Sequence, residues 1–146
     1  MSTRFTMSLC FLSLETGKIF NKVILQRLQQ QGFEGLSEAL IILFPYIDQA
    51  GEISSSELSR QLGYSRQAMH KNIKKLEELD YVQLSTEKNQ KEKMISFTAK
   101  SKNLMAEANK IIEEIEKELS TLIGKEELET YKSNQAKIYA SLNSLL

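Results

Sequence analysis

The chain has 146 residues, 41% apolar and 26% charged, with one Cys, one His, one Pro, six Gly and no Trp. That length suits one domain with its own core, while a lone Cys excludes an internal disulfide and, beside a single His, a four-ligand structural zinc site. The glycines never fall as G-x-G and no G-x-x-x-x-G-K-S/T occurs, so the common nucleotide-binding loops are excluded.

Few Gly and Pro among many Leu, Ile, Glu, Lys and Gln read as a mostly helical, folded chain. Residues 5–14 (FTMSLCFLSL) follow Arg4 but are broken by Thr6, Ser8 and Ser13, and Glu15 follows without a small-x-small site, so no signal peptide is expected. The longest apolar run, Ala39 to Ile47, falls short of the roughly 20 residues that span a bilayer. A cytoplasmic protein with no membrane partner is expected.

In chain order, Phe5, Leu9, Leu12, Ile19, Phe20, Val23 and Leu28 recur at three-to-four spacing and predict an amphipathic helix over about 4–30, ending at Gly32. Ser37 caps a second, nearly all-apolar helix through Leu40, Leu43, Phe44 and Ile47, in which Pro45 predicts a kink or an early end. Glu52-Ile53 fits a very short strand. Ser54 with Glu57 three residues later forms a capping box opening a short helix with Leu58 and Leu62 inward, closed by Gly63. Ser65 caps the next helix, which turns Met69, Ile73, Leu76 and Leu79 to one side and Arg66, Gln67, His70, Lys71 and Lys74 to the other. Two helices across a short Gly-containing turn have helix-turn-helix spacing.

Beyond Asp80, YVQLS and MISF alternate about the polar segment TEKNQKEK and predict an antiparallel hairpin. A long helix over about 99–123 carries Leu104, Ala108, Ile111, Ile115, Leu119 and Leu122 as a seam. Gly124 breaks it, and a last helix aligns Leu128, Tyr131, Ile138, Leu142 and Leu145. The expected fold is mainly α with a small β-hairpin wing: a winged helix-turn-helix flanked by long N- and C-terminal dimerisation helices. Its expected divisions are 1–34, 35–100 and 101–146.

The formal net charge is zero, but its distribution is uneven. Residues 58–102 hold ten basic against five acidic side chains, and 107–129 hold three against eight, so a net +5 stretch precedes a net −5 stretch. A reading helix in the major groove needs the groups found at 66–71. Arg66 and Lys71 can donate to guanine, Gln67 can pair with adenine, and His70 can do either. Ser65, Lys74 and Lys75 are assigned to the DNA backbone, as are Lys88, Lys91 and Lys93 at the hairpin tip. A basic helix face by itself reads as solvated surface; here cap, turn, charge asymmetry and hairpin coincide.

LSRQLGYSRQAMHKNIKKLEELDYV, the hairpin and ISFTAKSKNL together resemble the MarR family of bacterial transcription regulators. The resemblance covers essentially the whole chain and is most specific over 58–102. It implies a homodimer with intertwined terminal helices, bound to a pseudo-palindromic operator on double-stranded DNA. It implies repression, relieved by a small aromatic or lipophilic effector or by oxidation. Where the family usually carries Asp-Arg-Arg in the wing and Leu-Thr later, this chain has Asn89, Gln90 and Lys91, then Phe97-Thr98. Lys91 supplies charge without the flat guanidinium that suits narrow minor grooves.

Homodimerisation also follows from the long apolar seams, which exceed what one chain of this size can cover. Cys10, in the sequence LCFL, resembles the thiol of a redox-sensing branch, although that branch's first-helix tyrosines are missing; the alternative is a buried, inert thiol. Phe11, Phe20, Phe44, Tyr46, Met94 and Met105 read as core. No nucleophile–base set or metal cluster argues for an enzyme, and no cofactor is expected. A winged helix that binds another protein would present a face without net positive charge.

Overall fold

A computed structural model describes residues 4–86 and 91–146. A 3₁₀ turn at Phe5–Met7 precedes helix α1, Leu9–Gln30, whose N-cap Ser8 accepts the Phe11 N–H at 3.2 Å. The expected helix through Ile47 is two: α2, Glu38–Ile41, and α3, Phe44–Ala50. Pro45 has no N–H to give the Ile41 carbonyl, and its ring would crowd the preceding turn. The break therefore falls before the proline, at Ile42–Leu43, and Pro45 opens α3 in the first turn, where a missing donor is harmless.

Strand β1 is Glu52–Ser54, followed by α4, Ser55–Leu62, and α5, Arg66–Glu78. Then come β2, Val82–Ser85, and β3, Met94–Phe97. The sheet is antiparallel in the order β1-β3-β2, so the predicted hairpin gains a third strand on its β3 edge. Helix α6, Ala99–Ile123, and helix α7, Lys125–Asn143, complete the chain, separated by Gly124 at φ +97°.

The chain forms two compact units dividing between Ala108 and Asn109, within α6. In the first, Leu43, Phe44, Ile47, Ile53, Leu58, Met69, Ile73, Leu76, Val82, Ile95, Phe97 and Leu104 are buried. Of the side chains expected inside, Phe44 is core. Phe11, Phe20, Tyr46, Leu62, Leu79, Met94 and Met105 are half-buried. Phe44 lies 5.7 Å from the Tyr81 ring and 5.4 Å from that of Phe97. In the second unit Ile111 and Leu128 are buried, and Lys132 of α7 pairs with Glu116 of α6.

Tyr81 ties the end of α5 to the start of α6. Its hydroxyl donates to the Glu34 carbonyl at 2.9 Å, and burial, with the Glu34 charge, raises its pKa above the ordinary phenol value, so it remains a donor. Its carbonyl accepts from the Thr98 N–H at 3.3 Å and from the Ser101 hydroxyl. Thr98 Oγ1 caps α6 by accepting the Ser101 N–H at 3.3 Å and donates to the Asp80 carbonyl at 2.7 Å. Asp80 holds φ +65°, the left-handed conformation common just past a helix end.

Candidate nucleic-acid interface

Two helices and a turn build the site. Ser54 Oγ accepts the Glu57 N–H at 3.2 Å and starts α4 as expected. The reciprocal half of the capping box is not made. Instead the Glu57 carboxylate takes hydrogen bonds from Arg60, with Nε at 2.9 Å, and from Gln61 at 3.0 Å, which lower its pKa to about 2. Gly63, at φ +70°, ends α4, and the Tyr64 N–H reaches the Ser59 carbonyl at 3.0 Å, closing the turn in the way a residue without Cβ allows. Ser65 Oγ then accepts the Ala68 N–H at 3.1 Å and starts α5. Its hydroxyl proton is left for an outside acceptor such as a phosphate.

Met69, Ile73 and Leu76 bury one side of α5, which fixes the opposite side toward solvent. Arg66, Gln67, His70, Lys71, Lys74 and Lys75 are all exposed there. Among the described residues none of these cations is in an ion pair. A rod of unneutralised cations interleaved with Gln and His can satisfy base edges and phosphates.

Two cations from the basic stretch have structural partners instead. Arg60 is held by Glu57. Lys100 donates to the Leu79 carbonyl at 2.8 Å and lies 4.2 Å over the Tyr81 ring, where it caps the C-terminal end of α5.

The wing arm leading into β3 exposes Lys91 and Lys93, and between them Glu92 accepts a hydrogen bond from Ser56 of α4. Residues 87–90, and with them Lys88, Asn89 and Gln90, lie outside the described residues. The pairing of Ser56 with Glu92 is not visible in residue type; it emerges only when the fold brings α4 beside the arm leading into β3.

Cys10 is exposed in the first turn of α1, so the expectation of a buried thiol is not met. Among the described residues no cluster of His, Cys, Asp and Glu could hold a metal, and no helix is long and apolar enough to cross a membrane.

Residues 39–91, which span α3, β1, α4, α5 and β2, match the family model described as MarR family. Comparison with curated proteins finds no match. Among solved structures, the reduced form of MarR from E. coli is similar at a TM-score of 0.74 with 15% identity, covering 90% of this chain and 96% of that one. The S. aureus MepR–DNA complex is similar at 0.67 with 18% identity, covering 95% and 99%. A MarR family transcriptional regulator from Silicibacter pomeroyi gives 0.71 with 16% identity, covering 95% and 92%. At these identities the likeness establishes the fold.

Proposed function

From a chain whose residues 39–91 match the MarR family model, we propose a transcription regulator that binds a pseudo-palindromic operator on double-stranded DNA as a homodimer. The observation that carries this reading is the solvent face of α5, where Arg66, Gln67, His70 and Lys71 stand exposed without a carboxylate partner. In this reading those four side chains read bases. Ser65, Lys74, Lys75, Lys88, Lys91 and Lys93 hold the backbone. The fold it shares with MepR, whose structure was solved with DNA, supports the same reading.

Apolar surface supports the dimer. Leu9 at 50% and Ile19 at 56% exposure line α1, and Leu122 at 77% and Leu145 at 79% lie near the chain's other end. Large apolar side chains left this exposed favour burial against a partner. The regulator in this reading has dimerisation segments at 1–34 and 101–146 around a DNA-binding segment at 35–100. A two-fold pair sets its reading helices roughly 34 Å apart, one turn of B-DNA. It acts in the cytoplasm as a repressor and is not an enzyme. A small aromatic or lipophilic effector releases it.

Selection of bound duplexes from a random pool tests this, because it returns half-site and spacing together. Recovery of a two-fold-related motif with half-sites one helical turn apart is expected. A chain that stays monomeric at micromolar concentration, or shows no salt-sensitive attachment to any duplex, overturns it.

The exposure of Cys10 favours a second reading in which a hydroperoxide is the signal. The thiolate takes the terminal peroxide oxygen to become a sulfenic acid, and the hydroperoxide leaves as the alcohol. Loss of DNA binding on hydroperoxide treatment, abolished in Cys10→Ser, is the expected result. Equal loss in both proteins refutes it.

A further inference from the structure

The β1–β3 pairing ends where α4 begins. Glu52 faces Ser96, Ile53 faces Ile95 and Ser54 faces Met94. Two residues beyond the last pair on either side stand Ser56, in the first turn of α4, and Glu92, on the arm leading into β3. There the Ser56 hydroxyl donates to the Glu92 carboxylate across 36 residues of sequence. The clasp joins the first helix of the helix-turn-helix to the wing arm, and a carboxylate at a helix N-terminus is favoured by the helix dipole.

We propose that Glu92 is a positioning residue for DNA binding: held by Ser56, it fixes the arm that carries Lys91 and Lys93 against α4, so that both lysines meet phosphate in one register with α5. The inference rests on the DNA-binding reading above. It inverts what charge alone dictates. An acid beside a polyanion site repels phosphate, and deleting it should tighten binding; a clasp makes the same deletion weaken binding.

The test uses the full chain and the best duplex recovered by selection. Ser56→Ala changes no charge and is expected to weaken binding about fivefold, the equivalent of one hydrogen bond. It should also flatten the salt dependence by about one unit. Glu92→Ala should weaken binding to the same extent, and the double variant no further, because either change opens the same clasp. Glu92→Gln retains an acceptor for Ser56 and should keep the wild-type salt dependence.

Hydrogen exchange of the β3 amides in the DNA-free protein should quicken in Ser56→Ala and Glu92→Ala but not in Glu92→Gln. Unchanged or tighter binding by Glu92→Ala overturns the proposal, as does unchanged exchange in Ser56→Ala. If the exchange responds as expected while the wild-type chain binds no duplex, the clasp stands and the DNA-binding reading falls.

Discussion

Replacing Gly35 by alanine forces a methyl group into space that Leu79 already occupies. Gly35 holds φ +81°, and a Cβ built there lies 2.6 Å from Leu79 Cδ2 and 3.0 Å from Cδ1. Left-handed backbone costs an alanine about 1–2 kcal/mol. Overpacking adds ~1 kcal/mol, the low end of its range, because the obstructing atoms end a half-buried, movable side chain. A less flexible unfolded chain returns about 0.4–1 kcal/mol. The net loss is about 2 kcal/mol, a fall in melting temperature of roughly 5–8 °C for a chain of this length. Urea denaturation measures it, with the slope unchanged and the midpoint lowered. In a Leu79→Ala background the methyl has room, so Gly35→Ala should then cost about 1 kcal/mol less. A loss below about 0.5 kcal/mol, or the same loss in both backgrounds, refutes the packing argument. Because Leu79 is the C-cap of α5, the Gly35 loop packs against the C-terminal end of that helix.

Three further outcomes are expected. Arg66→Ala and Lys71→Ala should each weaken specific binding by about 1–3 kcal/mol and relax base preference, measured by competition between operator and scrambled duplexes; undiminished discrimination would displace the base-reading assignment from this face of α5. Asp80→Gly should stabilise by about 0.5 kcal/mol, since relief of left-handed strain slightly exceeds glycine's entropy loss, and Asp80→Val should destabilise by about 1–2 kcal/mol; denaturant midpoints in the opposite order would refute this. Glu57, whose pKa is lowered to about 2 from an ordinary 4.5, contributes stability that is present above 4.5 and lost as pH falls toward 2. The stability difference between wild type and Glu57→Gln should therefore be constant near neutrality and shrink below pH 4.5, and a difference that grows on acidification would contradict the assignment.

Local chemistry was readable from residue order. Ser37, Ser54 and Ser65 each cap the helix expected of them, Gly63 ends α4, and the buried stripe of α5 dictates which cations face outward. Distant partners were not readable. The break before Pro45 depends on where the preceding turn ends. The use of Lys100 on Leu79 and Tyr81 joins residues about 20 apart, and nothing in either segment marks the other. Glu57 fits a reciprocal cap by spacing, but Arg60 and Gln61 on the next turn compete for its carboxylate and prevail. Leu62 and Leu79 stand only half-buried because each lies at a helix end, where one side of the expected stripe meets a loop.

Tyr81 joins the last turn of α5 to the first turn of α6 through its own backbone, with Thr98, Ser101 and Lys100 bracing the corner. Such a corner ties the two helix ends together: neither can turn away from the other without giving up hydrogen bonds to the backbone of residues 79–81.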